Sequence, residues 1–345
     1  MEKSKKTLAQ LGTYGLMDHI KNKYISSCSN ILAGLDEDAV IEDGDPLKVS
    51  SNTLLLEGIH FDLIYTPLQH LGYKAVTATI TDILAMNATP LNISISLGIG
   101  NKTTLEMTEE LMAGISMACK DYNIELAGFT PSSSLTGLTL SLTANGKVSD
   151  NDIALRSGAS TTDIICITGN LGASLMGLHL LEREKRVLKS KQELKPELEG
   201  HEYVLKRQLK PEARLGINSI LKEININPSS MIAIKEGVAA ALLLLCKASG
   251  TGCRIYENKL PIDQNTLKAA KELKFNPLIA ALNGGEDYEL LFTIPLEEYE
   301  KNKDIIPDEI TVAGFIADKD KGCRLITSSD QETDLTSPGW GQNNR

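Results

Sequence analysis

Two stretches of strict alternation constrain this chain more than anything else in it. From Asn92 to Ile99, Ile93, Ile95, Leu97 and Ile99 alternate with Asn92, Ser94, Ser96 and Gly98. From Leu138 to Ala144, Leu138, Leu140, Leu142 and Ala144 alternate with Thr139, Ser141 and Thr143. A period of two with one apolar side describes strands that cover a core on one face. Between them Leu105, Thr108, Met112, Ile115, Cys119 and Tyr122 fall three or four apart, the spacing of a helix. The first half therefore reads as strand, helix and strand of a mixed α/β unit.

At 345 residues the chain is long for a single core, so two domains are expected. The polar stretch SDNDIALRSG marks the junction and divides the chain into residues 1–150 and 151–345. Beyond it, Asp163–Thr168 reads as a buried strand, and GNLGASLMGLHLLERE as a glycine turn opening a helix. Further helices are expected over Pro211–Lys222 and Val238–Ser249, and strands over Tyr288–Ile294, Glu309–Gly314 and Cys323–Thr327.

A net charge of −10, with 42% hydrophobic and 23% charged residues, leaves no basic stripe for nucleic acid. The densest basic stretch, Glu182–Lys191, reads as a solvated helix end. The apolar run Val238–Leu245 is far short of the ~20 residues that span a bilayer. The N-terminus lacks the apolar region of a secretory signal, so a cytoplasmic location is expected. Cys28, Cys119, Cys166, Cys246, Cys253 and Cys323 are scattered with no C-x-x-C pair, and read mainly as small core residues.

Two glycine-rich turns, Gly98–Thr104 and Gly169–Gly177, lack the spacing of phosphate-binding loops and read as strand-to-helix turns. ALNGGEDYELLFTI, residues 281–294, differs in kind: paired glycines permit a tight turn, and Glu286 and Asp287 stand at the mouth of a strand. MIAIKEGVAAALLLL, residues 231–245, places Lys235 and Glu236 in a turn between a short buried strand and a buried helix.

GGEDYELLFT resembles the signature of thiamine-monophosphate kinases, members of the PurM-like superfamily of ATP-dependent enzymes. LLLEGIHFD (54–62), TDILAMNATP (81–90), ALRSGASTTDIICITGNLG (154–172), RQLKPEAR (207–214) and the Gly339-Trp340 pair resemble further motifs of that family, over nearly the whole chain. The resemblance implies a two-domain PurM-like fold of α/β (α+β) type. Its N-terminal mixed sheet would carry helices and pair two copies into a homodimer, and an α/β C-terminal domain would complete the nucleotide site. It implies magnesium and ATP as cofactors and thiamine monophosphate as the phosphate acceptor. His60, Glu286, Asp287 and Trp340 match substrate-contacting positions, while Arg156, Gly128 and Lys235 fall on the nucleotide side.

Magnesium needs hard oxygen ligands, and phosphoryl transfer relies on such ions to neutralise the nucleotide. The family's carboxylate positions fall here on Glu37, Asp38, Thr53, Asp82, Thr130, Ala233 and Glu236. Glu37, Asp38, Asp82 and Glu236 remain as candidate metal ligands, while Thr53, Thr130 and Ala233 carry no charge. Asp36 replaces a family glycine, and Lys235 a serine. The candidate catalytic groups are thus Asp82, Glu236 and Lys235. Three readings result: a kinase-family protein impaired in catalysis that still binds a thiamine phosphate or nucleotide; an active kinase with a rearranged magnesium site; or a regulatory partner of an intact kinase.

Overall fold

The computed structural model describes residues 8–24, 30–34, 36–190 and 197–338; Trp340 and Cys28 lie outside the described residues. The first half contains α1 (Leu8–Tyr24), β1 (Ile31–Ala33), β2 (Val40–Glu42), β3 (Leu47–Leu56), α2 (Leu68–Leu84), β4 (Thr89–Gly100), α3 (Leu105–Asp121), β5 (Glu125–Ser134) and β6 (Thr139–Val148). The strands form one mixed sheet in the order β1-β2-β3-β6-β4-β5, with β4 and β5 parallel. Both alternating stretches became strands. Ile93 stands opposite Ala144, Ile95 opposite Leu142 and Leu97 opposite Leu140, so the two apolar rows meet on one face.

That face is covered by α2 and α3, which cross with almost no space between them. A Cβ at Gly114 would lie 1.8 Å from the Gln69 carbonyl oxygen, and one at Gly72 2.2 Å from that of Leu111. Two glycines facing opposite backbones let the helices meet main chain to main chain.

The second half contains β7 (Ile164–Thr168), α4 (Ala173–Ser190), α5 (Glu202–Leu209), α6 (Ile217–Glu223), β8 (Ser230–Ile234), α7 (Val238–Ser249), β9 (Gly252–Tyr256), α8 (Gln264–Glu272), α9 (Pro277–Asn283), β10 (Glu289–Ile294), α10 (Leu296–Asn302), β11 (Ile310–Ala317), β12 (Cys323–Ile326) and β13 (Glu332–Asp334). Its sheet runs β13-β12-β9-β11-β7-β10-β8, antiparallel except for β9 with β12. The chain thus has the mixed α/β architecture expected, with α7 matching Val238–Ser249. No helix among the described residues is long and apolar enough to cross a membrane.

The helix expected over Pro211–Lys222 is shorter, because residues 211–216 are spent on contacts with the first half. Thr77 Oγ1 donates to the Pro211 carbonyl (3.1 Å), and the Ala213 N–H donates to Tyr122 Oη (2.9 Å). Only from Ile217 is the backbone free to coil. Gly114→Ala is expected to destabilise the fold by roughly 1–3 kcal/mol, since backbone on the facing helix cannot yield. A lowered urea midpoint with an unchanged slope would show it.

Candidate active-site cleft

The Lys235-Glu236 step is held in place by geometry that its glycine alone permits. Gly237 has φ +93°, and a Cβ there would lie 2.4 Å from the Leu282 carbonyl oxygen. The Glu286 N–H donates to the Lys235 carbonyl (2.8 Å) and the Tyr288 N–H to that of Ile234 (3.1 Å). The turn after β8 is therefore fastened to the GGEDY loop, and both its charged side chains are presented to a cleft of about 890 Å³.

The cleft lies between the two sheets and draws its walls from α1, the 36–40 loop, β3, the last turn of α2, Arg156 and α7. The 36–38 loop wraps the Arg156 guanidinium and backbone. Asp38 receives its Nη2 at 2.8 Å and its Nε at 3.1 Å, the Asp36 carbonyl its Nη1 at 3.0 Å, and Glu37 the Arg156 N–H at 2.7 Å. Asp82, almost wholly buried at the end of α2, pairs with Lys235 Nζ at 2.8 Å through Oδ1 and 3.0 Å through Oδ2.

Burial pushes the Asp82 carboxyl up to about 6, against the lowering pull of Lys235. Burial would lower the Lys235 ammonium, but Asp82 and Asp38 outweigh it and raise its pKa. The pair is therefore ionised at neutral pH, with the aspartate its weaker member. Glu37 is raised by burial as well. Glu236, more exposed, accepts from the Tyr14 hydroxyl of α1, while Lys21 pairs with Asp36 and Lys247 with Asp18 (2.9 Å) along the rim.

Asp38 Oδ1 and Asp82 Oδ1 are buried and, among the described residues, their contacts are ion pairs without hydrogen-bond alignment, the condition in which a carboxylate oxygen could take a metal ion. Each, however, lies 2.8 Å from a fixed cation of the protein. Ala233 brings only a backbone N–H, 3.4 Å from Asp38 Oδ2. Thr53 and Thr130 lie along β3 and β5, opposite Leu142 and Ser96, and neither lines the cleft. This donor set does not fit the several-ion magnesium cluster that the sequence resemblance implies.

The carboxylates of GGEDYE meet three separate fates. Glu286, at φ +63°, pairs with the buried Lys74 of α2 (2.8 Å) and accepts from Gln208 Nε2 (3.2 Å). Asp287 has no exposed surface and accepts the Gly172 N–H (2.8 Å) and Ser174 N–H (3.4 Å) at the start of α4. Glu289 is clamped by Arg207 (2.8 Å) and Arg214 (2.5 Å). Asp287 therefore anchors a helix N-terminus rather than facing the cleft. Tyr288, at φ +51°, also delays the strand to Glu289.

Among the expected site residues, Glu37, Asp38, Asp82, Arg156, Lys235 and Glu236 are brought together in the cleft. Gly128 is not; it sits on β5 with its Cα facing Ser94. His60 follows β3, where its Nδ1 accepts the Leu56 N–H (3.1 Å). Lys74 and Tyr14 were not anticipated. A lone lysine in the otherwise uncharged first four turns of α2 was the available signal for Lys74; Tyr14 carried none.

Residues 35–148 match the family described as "AIR synthase related protein, N-terminal domain". The chain is 30% identical over 312 residues to a thiamine-monophosphate kinase of Bacillus subtilis, covering 88% of this chain and 90% of that protein. Against the Aquifex aeolicus thiamine-monophosphate kinase it is 30% identical over 300 residues, 85% of this chain and 89% of the other. A solved structure described as "AaThiL complexed with AMPPCP and TMP" superposes with a TM-score of 0.80 at 26% identity, covering 96% and 97% of the two chains.

Burial raises the Asp287 carboxyl from its ordinary 3.8 to about 6. The folded chain thus binds this proton more tightly than the unfolded one, so the stability it contributes is full in acid and lost as pH rises through 6. The stability difference between wild type and Asp287→Asn should shift by on the order of 1–3 kcal/mol, in disfavour of wild type, between pH 4 and 7. Urea midpoints measured across that range test it; a constant difference would contradict the assignment.

Proposed function

The chain belongs to the thiamine-monophosphate kinase family, and on that premise we propose that it keeps the family's ligand-binding scaffold while having lost most of its capacity to transfer phosphate. The observation that carries this reading is the closure of Asp82 by Lys235 and of Asp38 by Arg156. A carboxylate already neutralised by a fixed ammonium or guanidinium has little left to offer a divalent ion. Six carboxylates and four cations line the cleft, so without such ions it is net acidic and opposes a polyphosphate.

Nucleotide use in this reading rests on likeness to a protein solved with AMPPCP and TMP. The thiamine phosphate would reach the neighbourhood of Glu286, whose carboxylate is partly exposed beside Lys74. Pairing of two copies through the first sheet belongs to the same proposal, since β5 is an edge strand with Leu126 and Phe129 exposed. A monomer on sizing chromatography would end that part of it.

A second reading is favoured by one fact: the Lys235 side chain remains 39% exposed toward the cleft. In that reading its ammonium is a point charge against the nucleotide in place of an ion, and the chain is an active kinase with a rearranged site. One experiment separates the two. Under the first, thiamine monophosphate with magnesium-ATP gives no multiple turnover, and the double variant Ala233→Asp/Lys235→Ser raises transfer by about 10-fold or more. Under the second, the parent chain turns over and Lys235→Ala abolishes the activity. Robust turnover by the parent overturns the first reading outright.

A further inference from the structure

Cys246, Cys253 and Cys323, scattered in sequence, place their sulfurs within 4.8 Å of one another. The convergence is built by the fold. Strands β9 and β12 run parallel with Cys253 directly opposite Cys323, so both side chains leave the same face of the sheet. Helix α7 covers that face with Leu242, Leu245 and Cys246 turned inward. Gly250, at φ +67°, ends the helix, and the Thr251 N–H returns to the Cys246 carbonyl (2.9 Å), so β9 begins directly beneath it. Gly252 completes the approach: a Cβ there would lie 2.5 Å from the Gly322 carbonyl oxygen, the residue before Cys323.

The three cysteines are free. Cys246 and Cys253 are fully enclosed, while Cys323 is half-buried and leaves one edge of the cluster open. Arg254 is fixed by the carbonyls of Cys253 (3.0 Å) and Gly322 (3.1 Å).

We propose that Cys246, Cys253 and Cys323 form a binding site for a thiophilic divalent cation of the zinc class. The donor set is three soft sulfurs with no hard oxygen among them, which disfavours magnesium and calcium. Sulfurs around a tetrahedral zinc ion lie about 3.8 Å apart at Zn–S distances of about 2.3 Å, so each pair needs to close by about 1 Å at most. Binding forms three metal–sulfur bonds and releases to water the protons of whichever thiols still carry them. Three thiolates and a divalent ion leave one negative charge; Arg254, the residue after Cys253, is the neighbouring cation and also pairs with Glu332 at 3.2 Å. A cuprous ion would leave two charges in a largely apolar core, which costs more. The fourth position opens past Cys323, where a water can complete the tetrahedron.

The test uses the full chain, reduced and stripped of metal. Titration with Co2+ should give thiolate-to-cobalt charge-transfer absorption in the near ultraviolet that saturates at about one equivalent. Zn2+ should displace it and raise the melting temperature. Cys323→Ser, the substitution with least core burial, should weaken Zn2+ binding by about 100-fold or more and remove the thermal shift, while its metal-free unfolding matches the parent's. No charge-transfer band in a chain whose thiols all count as reduced would overturn the proposal, as would equally tight binding by Cys323→Ser. Should that variant fail to fold, the parent's cobalt spectrum decides alone: three-thiolate intensity supports the site and its absence refutes it.

Discussion

Glu289 has no exposed surface, yet it bears a carboxylate at the start of β10, and the arrangement of the two halves depends on how that charge is met. Arg207 and Arg214 close on it from the ends of one segment, and Thr168 Oγ1 donates to it from β7 at 2.7 Å. A buried carboxylate left without such partners would be strongly destabilising, so the segment from 207 to 214 has little freedom to lift away. Held there, it presents Gln208, Pro211 and Ala213 to α2 and α3 of the first sheet. Gly169, at φ +55°, passes so close that a Cβ would meet Glu289 Oε1 at 2.3 Å. The clamped segment thus ties β10 of the second sheet to α2 and α3, which cover the first.

Much of the scaffold was legible because its periodicities are local. β4, β6, α3 and α7 each repeat an apolar spacing long enough to fix their type, and tertiary contacts did not override it. The helix expected over Pro211–Lys222 rests on local pattern, whereas the backbone groups of residues 211–216 are engaged across the molecule. The cysteine cluster was invisible for a related reason: it depends on which strands lie side by side, and the parallel pairing of β9 with β12 cannot be read from spacing.

The site was legible in part. Motif resemblance located Asp38, Asp82, Arg156, Lys235 and Glu236, which do share one cleft. Asp287 instead lies buried against the start of α4, because positive φ at Glu286 and Tyr288 breaks the simple alternation of side chains along GGEDYE. What the residues alone could not express is pairing. Lys235 reads as a lost serine in sequence, whereas in space it is the counter-charge of Asp82, and the substitution is compensated electrostatically rather than merely tolerated.

The turn from Ile234 to Val238 separates shape from chemistry in a way that bears on how such a chain diverges. Gly237 is confined by the Leu282 carbonyl and by its own φ, so variation there disrupts the loop. Lys235 and Glu236 project from ordinary backbone into the cleft, where they meet Asp82 and the Tyr14 hydroxyl through their charges and no steric barrier of that kind. Substitution can therefore walk through the charges of the cleft one codon at a time while the path of the main chain is conserved by steric exclusion. A lineage can in this way exchange the reactivity of a site without first losing its architecture.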